Sequence, residues 1–213
     1  MIRFFTLLLM MILLSACSSS KVAYAWQGEA KAKLAKYQEM MLKGDFFQAN
    51  YYLEDAIKEA KNDTSLESLA IVYLTQCAMQ KAMAQKTTCK AYQEIKALVT
   101  EPSFEAYQKL LNKQTVDDRT LLGKYSSLYQ AIQKKEVSVS DIKSLPTIYA
   151  QAIGSMVIFD YDLLTKEISE YMSDKASVEN MKGLMLVWLK KTALFMNGKD
   201  LKRVQSRIRV LSH

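Results

Sequence analysis

The most reactive side chains in this 213-residue chain are three cysteines. Cys17 follows Leu14 and the small residues Ser15 and Ala16, and precedes Ser18-Ser19-Ser20. Cys77 and Cys89 stand twelve positions apart, with no Cys-x-x-Cys anywhere, so a thioredoxin-like redox role has no support. Such a pair forms a disulfide in an oxidising compartment and stays as two thiols in a reducing one. The single histidine is His213, the last residue, where a fixed catalytic geometry is not expected. There is no G-x-S-x-G and no H-E-x-x-H, and every glycine is isolated, which leaves no phosphate-cradling loop. Asp117-Asp118 are adjacent and Asp160 and Asp162 are two apart, both at expected turns. Carboxylates in such places serve as helix caps more often than as a catalytic or metal pair. The chain is therefore read as a non-enzyme without a metal or cofactor.

Two further groups could bind rather than react. Lys199, Lys202, Arg203 and Arg207 gather on one side of the final expected helix, with Arg209 nearby. One reading is an anion site for lipid phosphates, a cell-wall polymer or an acidic partner. The other, preferred, is the solvated face of a terminal capping helix. The twelve tyrosines are mostly assigned to packing between helices, but Tyr51 and Tyr52 are adjacent and cannot both face one core. One of them is the better candidate for a partner-binding groove, since tyrosine is large, stiff and half polar.

Where this chemistry happens is set by the first residues. Arg3 precedes an unbroken apolar run, Phe4 to Leu14, which ends in small residues. These are the three parts of a secretory signal. A membrane-spanning helix needs about 20 apolar residues, and this run is too short. The Leu14-Ser15-Ala16-Cys17 ending resembles the lipobox of bacterial lipoproteins. The resemblance implies that residues 1–16 are removed, that Cys17 carries covalent lipid, and that residues 17–28 form a tether. It also implies transport to the periplasmic face of the outer membrane, because Ser18 rather than Asp follows the lipidated cysteine. Tyr24 and Trp26 in the tether have two readings, at the headgroup level or packed on the first helix. Export makes a Cys77–Cys89 disulfide the favoured reading over two free thiols, and closing that loop is worth roughly 3 kcal/mol. Export also makes nucleic acid an unlikely partner despite 29 basic against 22 acidic residues.

The elements that must position these residues are helical. Half the residues are hydrophobic, yet there are only six Gly and two Pro, too few for an all-β chain with turns every 8–12 positions. Helical spacing is expected over Glu29–Lys43 and Phe46–Lys61, with Phe46, Ala49, Leu53, Ala56, Ile57 and Ala60 on one face. The next helix starts at Leu66 after Asn62-Asp63-Thr64-Ser65 and runs to about Gln85. Cys89–Val99 follows, then a helix opened by Pro102 with Phe104, Tyr107, Leu110 and Leu111 as its stripe. Asp117 or Asp118 is expected to cap one long helix carrying Leu121, Leu122, Tyr125, Leu128, Tyr129 and Ile132. Residues 134–145 read as a loop with a short helix after Ser140. Pro146 opens a helix through Val157, and a turn at Asp160–Asp162 leads to Leu163, Leu164, Ile168 and Tyr171. A break is expected at Ser173–Ser177. Met181–Met196 is apolar nearly all round and so buried by several neighbours. Leu201, Val204, Ile208 and Leu211 share one face of the last helix.

Gly44-Asp45-Phe46 with Ala49, Leu53 and Ala56, followed by Leu66-x-x-Leu69-Ala70-x-x-Tyr73, resembles the tetratricopeptide repeat. Leu replaces Trp, Ala70 replaces Gly, Leu53 replaces Phe, the closing Pro is absent, and the good matches cover only about Gly44 to Tyr73. The expected fold class is all-α, with helical hairpins of residues 29–213 stacked as a tetratricopeptide-like α-solenoid. The expected function is a non-enzymatic, lipid-anchored scaffold that binds an envelope protein, as tetratricopeptide-like lipoproteins commonly do. The alternatives are a cell-wall enzyme or its activator, and a structural lipoprotein that binds peptidoglycan or anionic lipid through its basic end.

Overall fold

A computed structural model describes residues 25–62 and 66–212. Cys17, the signal, the first part of the tether, residues 63–65 and His213 lie outside them. The described residues form eleven α-helices and no strand, so the fold is all-α.

The first helix, α1 (Ala25–Lys43), starts inside the stretch read as tether. It ends at Gly44, whose φ is 85°. There the Asp45 N–H donates to Met40 O and the Gly44 N–H to Met41 O, a Schellman closure. The Asp45 carboxylate then accepts from the Gln48 N–H at 3.1 Å and caps α2 (Phe46–Ala60). Ala49, Leu53, Ala56 and Ala60 are buried on the face that meets α1, their small side chains allowing close approach. Phe46 departs from the expectation and is 44% exposed, because α1 stops at Lys43 and offers no partner opposite its ring.

The centre is built from two helices. In α3 (Glu67–Ala82), buried positions fall on all sides, and its neighbours include the first two helices. It stops before the expected Gln85 because Ala84 takes a left-handed φ of 56° and the Gln85 N–H reaches back to Gln80 O. A short α4 (Lys90–Ile95) and a 3₁₀ turn (Lys96–Leu98) stand where one helix from Cys89 to Val99 was expected. In α5 (Pro102–Leu111), Pro102 occupies the first turn, as the sequence indicates, and the Glu101 side chain caps by accepting from the Ser103 N–H. The long helix expected from Asp117 is split. Asp117 caps only the 3₁₀ turn Asp118–Thr120, Gly123 has φ 56°, and α6 (Lys124–Lys134) begins after it. Leu122 is consequently exposed.

Ser138 and Asp141 form a capping box on α7 (Val139–Lys143). Thr147, not Pro146, caps α8 (Ile148–Asp160), in which every residue from Gln151 to Ile158 is buried. This helix packs against α3. Leu163 and Leu164 precede α9 (Lys166–Val178), which is capped by Thr165. That helix runs straight through the break expected at Ser173–Ser177. Ser173 and Ala176 are buried in it, and the chain turns at Asn180 instead, with φ 56°. The apolar α10 (Lys182–Thr192) packs closely on α9, and a 3₁₀ turn (Ala193–Phe195) leads to α11 (Gly198–Leu211).

The hairpins α1–α2 and α9–α10 are the most closely paired elements. A further contact joins α1 to α10, elements far apart in the chain. At its heart are two glycines. A Cβ on Gly183 would meet Gly44 N at 2.6 Å and Leu42 O at 3.0 Å, both backbone atoms that cannot swing aside.

Candidate functional site

Cys77 lies on the buried side of α3, and Cys89 precedes α4 in a left-handed conformation, φ 55°. Their sulfurs are at disulfide distance, with the Cα atoms 5.0 Å apart. The Thr87 hydroxyl sits 3.5 Å from Cys77 Sγ and accepts from the Cys89 N–H at 3.3 Å, which fixes the bend between the two helices. A groove of about 540 Å³ runs past this pair, walled by Tyr73, Gln76, Gln80, Thr88 and Glu94.

The tyrosines divide as their packing dictates. Tyr37 donates to Gln76 O at 3.4 Å, the Tyr129 hydroxyl accepts from the Val116 N–H at 3.1 Å, and Tyr171 donates to Gln151 Oε1 at 3.0 Å. Each of these pins one element to another. Tyr107 and Tyr125 pack ring to ring at 5.2 Å. Burial pushes the Tyr107 hydroxyl up to about 12, and it pushes Tyr125 well above the ordinary range, helped by the neighbouring Tyr107. Of the adjacent pair, Tyr52 packs partly against the core while Tyr51 is 58% exposed, with the rings 5.4 Å apart. Tyr51 stands one turn beyond Phe47, which is 87% exposed, so α2 presents two neighbouring aromatic rings to solvent.

The carboxylate pairs have structural partners. Asp117 binds the Arg119 guanidinium at 2.8 Å, and Asp118 accepts from Gln130 at 2.6 Å. Asp160 pairs with Lys81, and Asp162 with Lys113 at 3.2 Å. Lys191 lies over the Phe159 ring, 3.2 Å from its centre, where burial lowers its pKa against the opposing pull of Asp160.

The basic helix is resolved into two sides. Lys199 and Lys202 are exposed and face away, while Arg203 and Arg207 line a cleft of about 620 Å³ between α9, the end of α10, and α11. Leu201, Val204, Ile208 and Leu211 are half-buried on the inner face, as their spacing requires, and no residue of α11 is fully buried. The opposite wall, Lys166, Glu170, Ser173 and Asp174, is absent from the sequence-based assignment. Its spacing of four, three and one residues was a readable helical signal, hidden by the break expected at Ser173.

Among the described residues no group of three or more His, Cys, Asp or Glu could hold a metal, and no helix is long and apolar enough to cross a membrane. Cys17 and His213 lie outside the described residues. No protein-family profile, curated protein or solved structure matches this chain.

Proposed function

We propose that this protein is a lipoprotein of the outer membrane, facing the periplasm, whose helical body is a non-enzymatic scaffold for another envelope protein. The observation that carries the reading is the order Arg3, apolar run, Leu14-Ser15-Ala16-Cys17, with helix beginning as early as Ala25. A folded body would thus start eight residues after the acylated cysteine, held close to the bilayer. A multiply acylated cysteine is an effectively permanent anchor, whereas a single chain binds only marginally. Anchoring raises the local concentration of the scaffold for partners in the same membrane.

Two observations support the reading. Cys77 and Cys89 stand at disulfide distance, which suits an oxidising compartment. Phe47 and Tyr51 give the first hairpin an exposed aromatic face of the kind that anchors protein contacts. The hairpin resemblance to tetratricopeptide repeats points to the same class of work. Crosslinking in the native envelope, followed by identification of the captured chain, tests the proposal. One stoichiometric envelope protein, lost in Phe47→Ala/Tyr51→Ala, is the expected result. Turnover of peptidoglycan by the purified chain would instead favour the cell-wall enzyme reading.

A further inference from the structure

The outer face of α11 carries charge of one sign. Lys199, Lys202, Arg203, Ser206, Arg209 and Val210 fall at i, i+3, i+4, i+7, i+10 and i+11, a single stripe of a helix, and all six are exposed. Asp200, the one acid of this helix, is turned to the other side, where it lines the cleft with Glu170 and Asp174 of α9. From Lys199 to Arg209 the stripe thus presents four cations and no carboxylate over about 15 Å of helix.

Those charges have no partner in the fold. Among the described residues no Lys or Arg of α11 takes part in an ion pair, whereas lysines on α1, α3, α5 and α9 do. Arg207 stands apart from the stripe, held against the Met185 sulfur at 3.5 Å. Lys199 and Arg203 are like charges at i, i+4, which is mildly unfavourable for the helix. Folding therefore gains nothing from the row, and packing does not account for it.

Apolar side chains narrow what the row can meet. Val210, 74% exposed, stands within the stripe, and Leu194 and Phe195, in the 3₁₀ turn that leads into α11, are 67% and 40% exposed. A small anion needs donors converging on one point, and the outside of a helix spreads them apart. A hydrated anionic polymer would satisfy the cations and leave the apolar groups in water. A bilayer of anionic phospholipid takes both, with phosphates on the ammonium and guanidinium groups and apolar side chains at the headgroup level. We propose that the outer face of α11 docks on an anionic phospholipid bilayer. Each basic residue held near such a surface strengthens attachment about fivefold, and the effect fades within a Debye length. The inference stands on α11 alone and rests neither on the acylated anchor nor on the scaffold reading.

The test places a thiol in the stripe with Ser206→Cys in the full chain and follows its reaction with an uncharged maleimide, peptide by peptide. The chain is mixed with vesicles of phosphatidylcholine, or of phosphatidylcholine and phosphatidylglycerol in equal parts. The reading is local to residue 206, so attachment through the first residues of the chain counts alike on both. Labelling slowed about fivefold or more on the anionic vesicles, and not on the zwitterionic ones, is expected. Adding Lys202→Glu/Arg209→Glu should remove the slowing and leave the melting temperature unchanged, since both side chains are exposed and unpaired. Adding Val210→Ser should weaken it about twofold. Equal labelling on the two vesicle types, or slowing that survives the charge reversal, would overturn the proposal. So would polyglutamate that slows labelling as much as the anionic vesicles at the same concentration of negative charge, which would make the stripe a site for an acidic protein.

Discussion

Single atoms decide whether the first hairpin seats. The space beside Gly183 is filled by the backbone of Leu42 and Gly44, so Gly183→Ala forces two chain segments apart. A loss of about 2–3 kcal/mol is expected, read as a melting temperature lower by about 5–10 °C. The isolated Gly183 was visible in the sequence, but its partner was not, because spacing within a helix says nothing about which distant backbone will approach it. Tyr107 and Tyr125 give a second expectation at this scale. Their phenols titrate above the ordinary value of about 10 in the folded chain, Tyr107 at about 12. A group whose folded pKa is raised contributes stability that is complete below the unfolded value and is lost as pH rises through the folded one. Alkaline destabilisation should therefore set in above about pH 10, and Tyr107→Phe/Tyr125→Phe should reduce that slope. An unchanged slope in a melting-temperature series would remove this account. The packing tyrosines were legible as a class; that Tyr51 and not Tyr52 would be free required the position of α1.

At the scale of elements, stripes were legible and ends were not. Ala49, Leu53, Ala56 and Ala60 on α2, and Leu201, Val204, Ile208 and Leu211 on α11, follow directly from spacing. Five helix ends share one cause. After Ala82, Leu111, Lys134, Asp160 and Val178 the chain reverses through a left-handed residue that is not glycine: Ala84, Lys113, Lys135, Asp162 and Asn180. In each case the next N–H reaches back to the carbonyl five residues earlier, as with Glu136 to Ala131. The hydrogen bonds form as they do at Gly44, but glycine, the usual marker, is missing. The left-handed state is unfavourable for other residues by about 1–2 kcal/mol, and glycine gives back about half of that through backbone entropy. Ala84→Gly and Lys135→Gly are each expected to stabilise by about 0.5 kcal/mol, measurable in denaturant midpoints at unchanged slope. Thr165→Ala, by contrast, removes the hydroxyl that accepts from the Ile168 N–H at 3.3 Å and should cost about 1 kcal/mol. The hidden α9 wall of the cleft follows from the same difficulty. Ser173 to Ser177 reads as a break, whereas Ser173 and Ala176 are small residues buried in the α9 helix.

For the whole molecule, the anchor and the cross-link carry the expectations. Cys17→Ser should leave the chain unprocessed or unlipidated and move it out of the outer-membrane fraction; identical maturation and fractionation would falsify the anchor. Thiol labelling under non-reducing conditions should find neither Cys77 nor Cys89 free, and replacing both with serine should lower stability by about 3 kcal/mol. All-α architecture was legible from composition, and so was the pairing of neighbouring helices. The α1–α10 contact was not, since it joins residues with no sequence relation to each other. That contact bears on how the chain reaches its native state. In a chain that emerges amino end first, the α1–α2 hairpin stays unfinished until Gly183 has followed to meet Gly44. The ordering of the amino-terminal hairpin thus waits on nearly the whole polypeptide, and a carboxyl-terminal truncation before α10 would leave that surface incompletely built.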